Sequence, residues 1–332
     1  DMNEKIDITL YGQELMPAAF VLGKPDLLIQ GGRPEAIKQG NTLSTPLFTD
    51  TSGQLKTFDY VVANTPFSDK RWSTGFDPAN DTYDRFGSFG IPPAKQGDYA
   101  YLLHIVRSLK SHGKGACILP HGVLFRGNAE ATIRKALLQR GYIKGIIGLP
   151  ANLFYGTGIP ACIIVIDKEN AQARTGVFMI DASKGFIKDG AKNRLREQDL
   201  HKIVDAFTKL AELPRYSRMV PLTEIADPKN DYNLNLPRYI DSSDAEDVQD
   251  IAGHLQGGIP VADVESLAEY WAVCPALKAA LLKPQRTGYM DLAVDKAAIK
   301  TTIHQHPQFT AFLAGMSAHF DTWKAQAATT LK

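Results

Sequence analysis

Strand-like and helix-like apolar patterns alternate along the chain up to about Asp181, and no other feature restricts the possible folds as strongly. The alternation predicts an α/β sheet with helices on both faces. After Asp98, which reads as an N-cap, Tyr99, Leu102, Leu103, Val106 and Leu109 follow the 3.6-residue period, and Gly113 reads as a left-handed stop. Residues 115–119 then read as a buried strand. Asn128 is predicted to cap a helix with Ile133 and Leu137 on one face, ending at Gly141, and residues 142–149, 161–166 and 177–180 read as three more strands. Residues 184–218 are charged and predicted helical. Residues 221–237 are turn-rich, and past Asp241 the chain reads as a helical tail, so we divide it at 1–240 and 241–332. With 332 residues and 44% hydrophobic content, there is ample material for a core.

The run Asp-Tyr-Val-Val-Ala-Asn-Thr-Pro-Phe at residues 59–67 reads as a buried strand that stops at a polar side chain, a proline and an aromatic ring. A parallel sheet presents its chemistry at that carboxyl edge. Asn and Pro are also ordinary turn residues, and the same letters would end a strand with no further role. The chemical reading concerns an amine whose lone pair is delocalised, such as the exocyclic nitrogen of adenine or a side-chain amide. The Asn64 side-chain oxygen and the Thr65 carbonyl could accept its two hydrogens, favouring the tetrahedral nitrogen of the transition state. Pro66 would hold Thr65 extended, and Phe67 would offer a ring for stacking.

Residues 59–72, 85–93, 97–104, 121–127, 149–160 and 231–239 resemble, in that order, the modification subunit of type I restriction-modification enzymes, a gamma-class N6-adenine DNA methyltransferase. The resemblance covers most of the chain and thins towards the C-terminus. It implies a Rossmann-like, S-adenosylmethionine-dependent methyltransferase sheet followed by a C-terminal helical tail. The implied activity is adenine-specific methyl transfer to a flipped base in double-stranded DNA, without a covalent enzyme intermediate. The family's Asn-Pro-Pro-Phe signature falls on Asn64, Thr65, Pro66 and Phe67, with Thr in place of the first Pro. The carbonyl acceptor survives that change, while the φ restraint of the ring is lost. Phe154 matches the second aromatic, which would sandwich the base against Phe67. Read from the chain alone, Phe154 is equally a core side chain near a strand.

For the cofactor, the resemblance implies Glu14 on the ribose hydroxyls, at the end of a strand over residues 6–14, with Asn41 and Asn64 as further contacts. Asn41 stands where the family usually carries Asp, so it keeps a hydrogen bond but no charge. No segment matches the family's glycine-rich loop after its first strand; Gly31-Gly32 and Gly156-Thr-Gly158 fall in the wrong order. A proline at 25 is expected to kink or weaken the helix after Glu14, at about 3 kcal/mol. The resemblance starts at about the family's second strand, so it implies a sheet lacking its first strand, which lies centrally between the second and fourth. Either preceding residues belong to a longer protein, or another chain supplies the strand, or the strands here pair differently. Two other functions stay open: a non-catalytic assembly subunit or fragment, and a methyltransferase acting on a protein glutamine or RNA.

A formal charge of +1, from 37 basic and 36 acidic side chains, argues against a strongly basic nucleic-acid clamp. It fits a catalytic subunit whose grip on DNA comes through a partner, and equally an ordinary metabolic enzyme. Three scattered cysteines and eight histidines without ligand spacing predict neither metal site nor disulfide framework. With no bilayer-length apolar stretch and no basic-then-apolar leader, the expected location is the cytoplasm. Lys192-Asn-Arg-Leu-Arg196 reads as a solvated helix end or a phosphate-facing run. Near the C-terminus Phe309, Phe312, Met316, Phe320 and Trp323 recur at threes and fours. That stripe either packs on its own chain or meets a partner, and the resemblance implies a specificity subunit and a restriction subunit as partners.

Overall fold

The computed structural model describes residues 8–29, 32–243 and 250–330. Two compact units are present, residues 1–243 and 244–332. The first unit opens with β1 (Gly12–Glu14), helix α1 (Pro17–Ile29) and β2 (Ile37–Gln39), and β1 pairs with β2 in parallel as a separate two-stranded sheet. The predicted strand over residues 6–14 is therefore short, and Ile6 and Asp7 lie outside the described residues. Pro25 lies inside α1, which continues past it. It removes only one backbone donor, and the helix ends within a turn of it, with Val21, Leu22 and Leu28 exposed.

A six-stranded sheet forms the body of this unit. Its strands are β3 (Phe58–Asn64), β4 (Leu109–Pro120), β5 (Ile143–Gly148), β6 (Ala161–Asp167), β7 (Gly176–Asp181) and, beyond the β8–β9 hairpin described below, β10 (Ser217–Pro221). The spatial order is β10-β7-β5-β6-β4-β3. Strands β3, β4, β5 and β7 run in one direction, whereas β6 and β10 run against their neighbours. The carboxyl ends of the four co-directional strands therefore share one edge.

Alternation along the strands sends side chains to two cores. Cys117, Leu119, Ile146, Cys162, Ile164, Val177 and Met179 face helices α2 (Asp98–Ser108) and α3 (Asn128–Gln139). Ile147, Ile163, Val165, Phe178 and Ile180 face α4 (Glu197–Lys209) through Ile203, Ala206 and Phe207. Helices thus cover both faces, as the alternation predicts.

Several local expectations shift. Gly97, not Asp98, is the N-cap of α2, and α2 passes directly into β4 at Leu109, so Gly113 lies within a strand and not at a helix end. Gly127 is likewise the N-cap of α3, with Asn128 already inside. The predicted buried strand at 59–67 is an edge strand whose Tyr60 and Val62 are 74% and 81% exposed. Residues 184–218 are not uniformly helical: β8 (Ile187–Asp189) and β9 (Lys192–Arg194) form a hairpin before α4.

The second unit carries short helices and the long helix Pro307–Thr330, together with a three-stranded sheet of β11 (Ile259–Pro260), β12 (Leu282–Arg286) and β13 (Tyr289–Leu292) in the order β11-β13-β12. The hairpin, turning at Gly288 with φ +79°, departs from a purely helical tail. Phe309 packs beside Cys274, Leu277 and Leu281, whereas Phe312, Met316, Phe320 and Trp323 are exposed. Among the described residues no helix is long and apolar enough to cross a membrane.

Candidate active site

Strand β3 delivers Asn64 to the shared carboxyl edge. Asn64 is exposed, and its amide has no hydrogen-bond partner among the described residues. Thr65 is buried, and its hydroxyl donates to the Ile118 carbonyl of β4 at 3.2 Å. The tether anchors the position where the family signature has a ring, so Thr65 brings a restraint of its own. Pro66 and Phe67 follow, and the chain then turns through Ser68 at φ +54°, a left-handed conformation unfavourable for serine.

Glu14 closes β1, where its carboxylate accepts from the Met16 backbone N–H at 2.7 Å. Asn41 spends its side-chain oxygen on Leu43 N–H (2.8 Å) and Ser44 N–H (3.2 Å), which leaves its amide N–H groups as donors. Gln13 ties this loop to β1, donating to the Thr45 carbonyl at 2.8 Å and accepting from Leu47 N–H at 2.9 Å. Glu14, Asn41, Asn64, Thr65 and Pro66 all line one cavity of about 690 Å³ between β1 and β3. The structure therefore brings together the expected cofactor contacts and most of the amine-holding turn.

Phe67 and Phe154 lie beside each other with ring centroids 5.8 Å apart and planes at 75°. The rings touch edge to face, so a base stacked between them must first part them. Phe154 belongs to the loop after β5, and β9 holds that loop. Lys192 Nζ donates to the carbonyls of Phe154 (2.7 Å) and Thr157 (2.8 Å), and Asn193 Nδ2 to that of Ala151 (2.7 Å). Lys192 and Asn193 thus brace the aromatic loop, while the run ends as expected in the exposed Arg194 and in Arg196, the N-cap of α4. The charge pattern of the run carried no signal of the brace, because the carbonyls that Lys192 and Asn193 meet lie more than thirty residues away.

In the cavity wall, desolvation and the Arg85 guanidinium push the His104 imidazole down to about 3. Arg85 can only donate, so His104 Nδ1, 3.3 Å from Arg85 Nη1, accepts and the ring is neutral. The unfolded chain takes up a proton below about pH 6.5 that the folded chain refuses until about pH 3. Stability is therefore complete above pH 6.5 and falls as the pH drops through that window. We expect a loss of about 1–2 kcal/mol at about pH 5, discounted for the ring's partial exposure. Comparing urea midpoints of the wild type and His104→Gln at the two pH values checks this: the variant should show a flatter dependence.

At the end of β4, burial lowers the pKa of His121, and its Nε2 is buried without a hydrogen-bond partner. Cys117, Cys162 and Cys274 are buried free thiols; burial pushes Cys117 up to about 12 and Cys162 higher still. Among the described residues no group of three His, Cys, Asp or Glu side chains could hold a metal ion.

Residues 1–248 match the N-6 DNA Methylase family. The chain is 31% identical over 253 residues to the type I restriction enzyme MjaIX methylase subunit of Methanocaldococcus jannaschii, covering 72% of this chain and 43% of that one. It is 29% identical to the HindI methylase subunit of Haemophilus influenzae, over 73% and 54% of the two chains. The chain spans about half the length of the curated relatives it matches. A solved type I restriction-modification methyltransferase subunit from Streptococcus thermophilus superimposes with a TM-score of 0.63 at 37% identity, over 71% of this chain and 48% of that one. The mixed sheet with helices on both faces is thus the α/β sheet of that methyltransferase subunit, and the chain belongs to the N-6 DNA methylase family.

Proposed function

We propose that this chain is the catalytic part of a type I modification subunit, methylating N6 of an adenine extruded from double-stranded DNA. One observation carries the reading: the Asn64–Thr65–Pro66 turn, Glu14 and Asn41 share a single cavity, with the Phe67–Phe154 pair beside the turn. The donor set fits S-adenosylmethionine, because Glu14 offers a carboxylate to ribose hydroxyls and Asn41 offers N–H groups. Bound there, the cofactor supplies an electrophilic methyl group.

The chain's own residues prepare the acceptor. Asn64 Oδ1 and the Thr65 carbonyl accept the two N–H groups of the adenine amine, which localises its lone pair on nitrogen as the transition state requires. Pro66 keeps the preceding residue extended, and Phe67 with Phe154 stacks the base. The exposed face of the long helix, Phe312, Met316, Phe320 and Trp323, is suited to a specificity subunit that chooses the DNA sequence, with a restriction subunit as a further partner. We place the assembly in the cytoplasm.

A non-catalytic assembly role is favoured instead by one observation: β1 and β2 are hydrogen-bonded apart from the main sheet, so Glu14 and Asn64 sit on separately held elements. Calorimetric titration with S-adenosylmethionine, with and without partner subunits, separates the two. Binding is expected, and Glu14→Ala should weaken it tenfold or more, about 1.5–3 kcal/mol for a lost charged hydrogen bond. No binding in either state would overturn the catalytic reading.

A further inference from the structure

The aromatic turn after β3 is gripped from one side by the start of α2. Asp98 is fully buried, yet its carboxylate does not cap its own helix. Instead Asp98 Oδ1 accepts the Ser68 backbone N–H at 2.7 Å, one residue past Phe67. Its other oxygen accepts from Gln96 Nε2 (2.8 Å) and Arg126 Nη1 (2.9 Å). Gln96 Nε2 also reaches Ser68 Oγ at 2.8 Å, so the backbone and the side chain of Ser68 are held together.

The following residue is fixed as well. Gly97 N–H donates to the Asp69 carbonyl at 3.0 Å, and Tyr101 Oη to the Asp69 carboxylate at 3.0 Å. A Cβ at Gly97 would lie 2.6 Å from Trp72 Cβ, so the two segments approach as closely as a glycine permits. A buried carboxylate is tolerated only where donors and positive charge answer it, and here Ser68 N–H, Gln96, Arg126 and the amino end of a helix do so. An ordinary turn needs no such arrangement, and this one holds Ser68 in the left-handed region that serine avoids unless its surroundings impose it.

We propose that Asp98 is a positioning residue. By holding the Ser68 N–H it fixes the left-handed turn that aims Phe67 and Pro66 at the acceptor base, and Arg126, also ion-paired to Glu130, pairs with that carboxylate at 2.9 Å. The inference rests on the proposed methyl transfer for its consequence, but the clamp itself is open to direct measurement.

The test is amide hydrogen exchange of the full chain, read on peptides covering residues 64–70, with β5 as internal reference. Asp98→Asn, which preserves size and removes the charge, should raise exchange in that segment at least tenfold and leave β5 within twofold. Gln96→Ala, a half-exposed site that perturbs folding less, should raise it about threefold and serves if Asp98→Asn does not fold. In the complete assembly, Asp98→Asn should lower kcat tenfold or more and leave the dissociation constant for S-adenosylmethionine unchanged, a split that general destabilisation does not produce. Unchanged exchange in both variants overturns the clamp, as does loss of protection spread evenly through α2, α3 and β5. If the wild-type assembly methylates no adenine, the proposed function fails while the exchange result still decides the clamp.

Discussion

Asn64→Ala is expected to cut methyl transfer to DNA adenine by about a hundredfold to a thousandfold, the range for losing one acceptor or donor aimed at a transition state. The loss should fall on kcat, because the second acceptor, the Thr65 carbonyl, and the stacking rings remain to bind the base. Unfolding should be nearly unaffected: Asn64 is exposed and its amide supports no other described residue. Labelled methyl incorporation into duplex DNA by the assembled subunits, set beside a urea melt, measures both. Transfer that survives in the variant would remove Asn64 from the chemistry. Thr65→Pro should retain activity, since the ring takes over the restraint that the hydroxyl now obtains from Ile118.

The second large effect concerns folding. Gly141→Ala should destabilise the first unit by about 3–5 kcal/mol, because two penalties coincide at one residue. Gly141 sits at φ +67° past the end of α3, and a Cβ there would stand 1.9 Å from the Ala171 carbonyl oxygen and 2.8 Å from its carbon. Both neighbours are backbone, so no side chain can swing aside. The Gly141 carbonyl also accepts from Arg174, which joins the two segments further. Gly127→Ala is the matching control: its φ is −83° and nothing lies within 4 Å of the added carbon, so only the poorer N-cap counts and a loss of no more than about 1 kcal/mol is expected. Thermal melts of the two variants against the wild type decide it.

Elements whose burial repeats at a local period were legible in the chain. Ile133 and Leu137 on α3, and the alternation through β5, β6 and β7, follow from patterns within a dozen residues, and the structure places them in the two cores. Asn64 stood out because a polar residue ends an apolar run there, Glu14 only through the family resemblance, and both line the same cavity. What stayed hidden depends on long-range partners. Lys192 looks like any surface lysine until the Phe154 loop comes within reach, and Asp98 reads as a helix cap until its carboxylate is seen turning back to Ser68. Exposure of Tyr60 and Val62 was equally invisible, since their apolar run matches that of a central strand.

That outer edge of β3 has a consequence for how this 332-residue chain, taken by itself, behaves at high concentration. Among the described residues no strand pairs with it, so its N–H and C=O groups form a ready template along a strand carrying exposed apolar side chains. Its guards stand at the two ends: Asp59, whose carboxylate bonds Lys110 at 2.8 Å, and Pro66 just beyond the strand. Between them lie Tyr60, Val61, Val62, Ala63, Asn64 and Thr65, with no charge and no proline to discourage a neighbour. Two copies meeting along this rim could extend each other's sheets without unfolding. Turbidity that rises with protein concentration, and that a lysine at position 62 suppresses, would be the visible sign of an unguarded rim.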